Sequence, residues 1–354
     1  MTEPEVPDLP GVLDAGELLA TARHLAGLQV PSGMIPWFPG GHCDPWNHVE
    51  SAMALDVAGL HEEAMAAYRW LVDIQMPSGA WHNYYAADGS VEEAKLDTNV
   101  CAYIATGAWH HWLATQSRAD AAELWPTVER ALTWVLSHRR DDGLVLWAVE
   151  ADDTRTWDYA LLTGSSSIAH ALECGARLGA VLGHRMRSWL RAAAEIDAAI
   201  VDRPDAFEPK ERWAMDWYYP VLSGALGVSA GKARLADGWS TFVMEGLGVR
   251  CVSDEPWVTA SETAECALAF AVIGDVDTAT DLLRWTRTHR RDDGSYWTGI
   301  VYPEGVPAAD AISQGVRFPF EEHTSYTAAA IILASDAITG ATPGSRIFTA
   351  PDDL

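Results

Sequence analysis

Gln29-Val30-Pro31-Ser32-Gly33 followed by Trp37, and Gln75-Met76-Pro77-Ser78-Gly79 followed by Trp81, are one phrase written twice. Each closes a stretch of helical apolar periodicity, Asp14 to Gln29 and then Ala64 to Gln75. A third version runs through Trp134 and His138 to Asp141-Asp142-Gly143 and Trp147. A fourth runs through Trp285 and His289 to Asp292-Asp293-Gly294 and Trp297. The first copies recur after roughly fifty residues and the last gap spans about three such periods, which is the signature of a repeat architecture. Two degenerate copies are therefore expected between Ser166 and Ala279.

Apolar periodicity predicts twelve helices. In the first half they are Asp14 to Gln29, Trp46 to Ala58, His61 to Gln75, Thr98 to Gln116, Ala119 to His138 and Ser165 to Leu178. In the second half they are Arg185 to Val201, Asp216 to Leu226, Ala230 to Met244, Ser261 to Ile273, Thr278 to His289 and His323 to Ile338. Odd-numbered helices carry Arg, Glu and Asp on one face; even-numbered ones are small and apolar nearly all round, hence buried. Strand signals are confined to short stretches near Leu144 to Val149 and Tyr296 to Tyr302. The arrangement that satisfies this alternation is all-α, an (α/α)6 toroid with six outer amphipathic helices around six inner buried ones. No linker is visible, so residues 1–354 are expected to form a single domain, with 1–12 a flexible N-terminus.

Composition limits the partners. The chain has 354 residues, 49% of them hydrophobic, and a formal net charge of −26. That charge repels nucleic-acid phosphates and anionic membranes. No apolar run approaches the roughly 18 residues of a membrane span. The acidic, Pro-rich start lacks a secretory signal, so a cytoplasmic location is expected. Five cysteines without a C-x-x-C pair imply no disulfide framework. No cofactor and no metal are expected, and oligomeric state is left open. Tryptophan is abundant, 17 against 7 Phe and 10 Tyr, and offers flat faces suited to sugar rings or polyprenyl chains.

In a toroid of this kind all inner helices start on one face, around a central cavity. The first start reads Gly40-Gly41-His42-Cys43-Asp44-Pro45-Trp46-Asn47-His48-Val49-Glu50. The second brings Asp97 and Asn99; the third Trp157, Asp158 and Ser165 to Ser167; the fourth Trp213, Asp216, Trp217, Tyr218 and Tyr219. The fifth brings Trp257, Thr259 and Glu262, and the sixth Phe320, Glu321, Glu322 and His323. Capping and the helix dipole favour acidic residues at helix starts by about 0.3–1 kcal/mol each. That accounts for Asp97 before Thr98, but not for the accompanying aromatics, His and Asn. Outer starts such as His61-Glu62-Glu63 lack that combination. Carboxylates with flanking aromatics are what glycoside cleavage requires: an acid for the leaving oxygen, a base or nucleophile, and flat faces for the sugars.

With these residues in view, the chain resembles the six-hairpin glycosidases, glucoamylases among them. Asp44 with its Ala-rich helix, Gly59, Glu63-Ala64 and Trp70-Leu71 is similar to their sugar-binding first hairpin. Trp157-Asp158 with Gly164-Ser165-Ser166 is similar to the segment carrying their general acid, with Asp where that family has Glu. Glu321 ahead of Ser325-Tyr326 is similar to the segment carrying their general base. Over most of its length the chain resembles a bacterial group often labelled prenyltransferase-like, which includes a mycobacterial α-endomannosidase acting on methylmannose polysaccharide. The phrases Leu96-Asp97-Thr98-Asn99, Leu162-Thr163-Gly164-Ser165-Ser166-Ser167, Met215-Asp216-Trp217-Tyr218-Tyr219-Pro220 and Pro256-Trp257-Val258-Thr259 carry that likeness. It implies hydrolysis of internal α-1,4-mannosidic bonds in an oligosaccharide or polysaccharide.

The expected catalytic pool is Asp44, Asp158, Glu262 and Glu321. Substrate binding is expected from Trp46, His48, Asp97, Asn99, Trp157, Asp216, Trp217, Tyr218, Trp257, Trp297, Glu322 and His323. Three other readings compete. Glu150-Ala151-Asp152-Asp153 has the look of a terpenoid-cyclase acid motif, though it stands in a polar loop. His42, Cys43, Asp44 and His323 could form a zinc site, although adjacent ligands are awkward. A non-catalytic glycan-binding toroid is the last.

Overall fold

The computed structural model describes residues 6–152, 154–319 and 322–349. In chain order the helices are α1 (Ala15–Leu28), α2 (Pro45–Val57), α3 (His61–Ile74), α4 (Thr98–Ala102), α5 (Ile104–Thr115), α6 (Arg118–Ser137) and α7 (Leu162–Leu182). They continue as α8 (Arg187–Asp202), α9 (Ala214–Leu222), α10 (Val228–Phe242), α11 (Ala260–Val272), α12 (Val276–Trp285), α13 (Ala308–Gln314) and α14 (Ser325–Thr339). Each of the twelve predicted helices is present with its ends moved by a few residues. The fourth is interrupted at Tyr103 into α4 and α5, and α13 was not anticipated.

The recurring phrase has a physical job. Gln29 Nε2 donates to the carbonyls of Gly33 (3.0 Å) and of Glu63 on α3 (2.9 Å). Gln75 repeats this with Gly79 (2.8 Å) and Thr127 on α6 (3.0 Å). Both glycines hold positive φ, +95° and +102°, and a Cβ would fall 2.2 Å from the Ala66 carbonyl oxygen and 2.5 Å from that of Arg130. Only glycine permits that approach. The turn closing one amphipathic helix thus lies on the backbone of the next. Gly294 bears the same relation to Ala20 of α1, with a Cβ 2.8 Å from its carbonyl.

Contacts divide the chain into two compact units. The first comprises residues 28–56 and 60–209. In it α7 packs against α5, α6 and α8, and Ala52 to Leu55 of α2 are fully buried. Strands β1 (Tyr84–Tyr85) and β2 (Val91–Glu93) form a hairpin. Strands β3 (Lys95–Asp97), β4 (Ala148–Glu150) and β5 (Thr156–Trp157) form an antiparallel sheet. Because β3 runs directly into α4, Asp97 ends a strand and caps a helix.

The second unit comprises residues 1–27, 57–59 and 210–354. Its centre is α11, which packs against α9, α12 and α14. Strands β6 (Val243–Met244), β7 (Gly248–Arg250), β8 (Trp257–Thr259), β9 (Gly299–Val301) and β10 (Val316–Arg317) form an antiparallel sheet in the order β10-β9-β8-β7-β6. The first predicted strand stretch overlaps β4 and the second contains β9. The others, two or three residues long, carry too little alternation to be read from sequence. Within the N-terminal segment expected to be flexible, Val12 is buried and its carbonyl accepts from Arg287 (2.7 Å).

Candidate active site

In the first unit, the start of α2 is organised by Asp44. Its Oδ1 accepts the Asn47 backbone N–H (3.0 Å), the N-cap bond expected where Pro45 opens a helix. Its Oδ2 accepts the Trp37 indole N–H (2.7 Å) and the Asn47 side-chain amide (2.7 Å). Only 4% of Asp44 is exposed. Burial raises its pKa, against the pull of those three donors. Trp37 in turn meets His42 edge-on (4.4 Å between centroids) and Tyr84 (5.9 Å).

One turn further, Trp46 stacks flat on Tyr103 (3.8 Å, 9°). The Trp46 N–H (3.1 Å) and the Tyr103 hydroxyl (3.2 Å) both donate to Glu50 Oε1. Burial, helped by the charge of Asp44, pushes the Glu50 pKa up to about 8. His48 is committed elsewhere: its Nδ1 accepts the Ile35 N–H (3.2 Å) and its Nε2 donates to the Ala67 carbonyl (2.8 Å). Burial lowers its pKa to about 4, so this ring is a neutral strut in the core.

Asp97 repeats the plan of Asp44. Its Oδ1 caps α4 through the N–H groups of Asn99 (2.9 Å) and Val100 (3.2 Å), and its Oδ2 accepts the Trp147 indole N–H. Burial lifts its pKa to about 6. Trp147 meets Trp157 (5.7 Å), and the Lys95 ammonium lies over Trp147 at 4.7 Å. Asp158 differs from this cluster in character: its side chain is 73% exposed, 3.9 Å from Arg140.

In the second unit β8 delivers Trp257 and Thr259, and Glu262 follows in the first turn of α11. Glu262 Oε2 accepts the hydroxyls of Thr259 and Ser261, the latter at 2.9 Å. Tyr218 is fully buried and donates to Glu265 Oε2. Trp217 belongs to the core, its indole donating to the Arg234 carbonyl (2.8 Å) and its ring stacked on Phe242. Arg234 also donates to the carbonyl of Asp216, itself buried. Trp297 lies against His323 (4.1 Å) with the Arg317 guanidinium over its ring (4.3 Å). Glu322 is part of the same segment and is not isolated there. Glu321 and Phe320 lie outside the described residues.

Residues absent from the expected list also belong to these clusters: Trp37, Tyr84, Glu50, Tyr103 and Trp147. Trp37 and Trp147 were visible as repeat markers, and Asp44 and Asp97 as candidate carboxylates, but their pairing was not. The acidic loop after Trp147 is a solvated turn in which Asp152 Oδ1 accepts the N–H (3.1 Å) and hydroxyl (2.6 Å) of Thr154; Asp153 lies outside the described residues. Among the described residues no group of three or more His, Cys, Asp or Glu side chains is arranged to hold a metal. None of their helices is long and apolar enough to cross a membrane.

No family model matches the chain. A solved glycosidase superposes with a TM-score of 0.71 at 14% identity, over 93% of this chain and all of that one. A GH63 mannosylglycerate hydrolase from Thermus thermophilus superposes with a TM-score of 0.66 at 12% identity, over 89% and 99% of the two chains. At such identities these likenesses show the fold, the (α/α)6 helical toroid. The MMP endo-(1,4)-3-O-methyl-alpha-D-mannosidase of Mycolicibacterium hassiacum is 45% identical over 98% of this chain and 93% of its own length. With that identity over nearly its whole length, the chain belongs to the glycoside hydrolase family of that mannosidase.

Proposed function

We propose that this chain hydrolyses internal α-1,4-mannosidic bonds of a methylmannose polysaccharide, or of its oligosaccharides, by carboxylate acid/base catalysis. The observation that carries this reading is the 45% identity, over nearly the full chain, to an enzyme named for that reaction. The reaction needs a carboxyl group that protonates the leaving oxygen and a carboxylate that acts as base or nucleophile. Asp44 suits the first role, because burial favours its protonated form while Trp37 and Asn47 hold its plane. Glu262 suits the second, being half-buried and oriented by the hydroxyls of Thr259 and Ser261.

Asp158, exposed beside Arg140, is a further candidate. Glu321 stays in the pool to be tested by substitution. Trp37, Trp147 and Trp157 in the first unit, and Trp257 in the second, are half-buried and offer faces for sugar rings. The enzyme would act in the cytoplasm as a single toroid domain, in keeping with five free, buried cysteines.

The test is incubation with α-1,4-linked manno-oligosaccharides, their 3-O-methylated forms and glucan oligosaccharides, with products followed by mass spectrometry. Release of short mannosides, lost in Glu262→Gln and Asp44→Asn, is the expected result. Failure to cleave any mannoside overturns the reading.

A further inference from the structure

The loop before α2 turns back on itself. The Gly41 N–H donates to the Phe38 carbonyl (2.8 Å) around Pro39 and Gly40, and Gly40 takes φ +74°, the residue order of a type II turn. Just outside that turn the Trp37 N–H donates to the His42 carbonyl (2.8 Å), so the two side chains leave from facing positions and their rings meet edge-on at 4.4 Å. The β1–β2 hairpin is joined to the same segment. Cys43 and Tyr85 exchange both backbone hydrogen bonds, at 2.8 Å each, and Tyr84 lies 4.9 Å from the His42 ring and 5.9 Å from Trp37. From β2 the Glu92 carboxylate stands 3.4 Å from His42 Nδ1. The other ring nitrogen, Nε2, is closed off from solvent and has no hydrogen-bond partner among the described residues, so neighbouring rings and Glu92 hold the imidazole. Two residues on is Asp44, whose Oδ2 takes the Trp37 indole N–H at 2.7 Å.

We propose that His42 is a positioning residue for Asp44, acting through Trp37, and that the β1–β2 hairpin is part of the mount of this acid. This rests on the glycosidase reading above, in which Asp44 protonates the leaving oxygen. Proton delivery depends on a carboxyl group held in the productive orientation, and an indole N–H holds it only while the indole itself stays in place. Trp37 is half-buried, and His42 and Tyr84 are the rings set against it. Glu92 in turn holds Nδ1 and with it the tilt of the imidazole. The contacts run from Glu92 to His42, to Trp37 and to Asp44, and a substitution can cut each link separately. When charged, His42 also pulls the Asp44 pKa down. That direct effect bypasses Trp37, and the test separates the two routes.

The test is a double-mutant cycle on a 3-O-methylated α-1,4-manno-oligosaccharide. Wild type, His42→Ala, Trp37→Phe and the double variant are assayed with His42→Phe and Glu92→Ala, and melting temperatures are recorded alongside. His42→Ala should lower kcat about three- to fivefold with KM little changed, and by no more than Trp37→Phe does, since its whole effect is one misdirected hydrogen bond. Trp37→Phe has no indole N–H to aim, so adding His42→Ala to it should cost nothing further and the two losses should not add. His42→Phe keeps a ring against Trp37 and Tyr84 and should recover most of kcat, while Glu92→Ala should lose less than His42→Ala. An equal loss from His42→Ala in both backgrounds, a loss confined to KM or to melting temperature, or a His42→Phe no better than His42→Ala overturns the inference and leaves the glycosidase reading standing. No cleavage of any mannoside by wild type overturns both.

Discussion

Asp44 and Asp97 in the first unit end in N–H donors, whereas Glu262 in the second ends in hydroxyls. Indole and amide N–H groups only donate, so they fix the plane of a carboxylate. Hydroxyls both donate and accept, so they leave the group they hold freer to adjust. The two units thus place similar acids at similar helix starts and hold them differently, by N–H donors in one and by hydroxyls in the other.

The sharpest way to break that comparison is substitution at matched stations. Glu262→Gln should lower kcat/KM about 10²- to 10⁴-fold, the usual loss on removing a general base, with little change in melting temperature. Asp97→Asn should raise KM more than it lowers kcat. Equal losses of kcat at both positions would erase the distinction. Stability offers a control that the two units share. Gly79→Ala and Gly294→Ala each drive a Cβ into the backbone of a neighbouring helix, so calorimetry should find each destabilised by about 3 kcal/mol. A much smaller value in one unit would show that its turn can shift.

A titration probes the first unit alone. Glu50 has a folded pKa of about 8, above its ordinary 4.5. Between those values the folded chain keeps a proton that the unfolded chain has released, so wild-type stability falls as pH rises across the window. Glu50→Gln has no such proton. Its melting temperature should exceed that of wild type by several degrees near pH 9, and the gap should narrow toward pH 5. A gap independent of pH would mean that Glu50 is ionised throughout. The smallest effect is expected from Trp37→Phe and Trp147→Phe. Each removes one indole donor, worth about 1 kcal/mol, or roughly a fivefold loss in kcat/KM. Similar losses for the two would support the kinship of Asp44 and Asp97.

Much of the fold was legible because its constraints are local. A glycine forced to positive φ against a neighbouring backbone, a Gln four residues before it, and helices apolar on one side or on all sides leave marks in sequence. The carboxylates at helix starts were legible for the same reason. Side-chain direction was less so: a helix apolar all round gives no sign of which residues face a cavity. Trp217 and His48 carried the right chemistry for sugar binding but are bound into the core, one on Arg234 and Phe242, the other on two backbone groups. The other four strands of the sheet that holds β9 escaped because they are shorter than the alternation that would reveal them.

By itself, then, the sequence determined the repeat, the twelve helices, and the acids and aromatics gathered at the buried helix starts, since each depends on residues within a turn or two of one another. Only the tertiary structure decided that Trp147 holds Asp97 across 50 residues of chain, and that Glu50 is bonded by both members of the Trp46–Tyr103 stack. Those pairings depend on which faces of separate helices meet, and helix-to-helix packing is settled by the whole core.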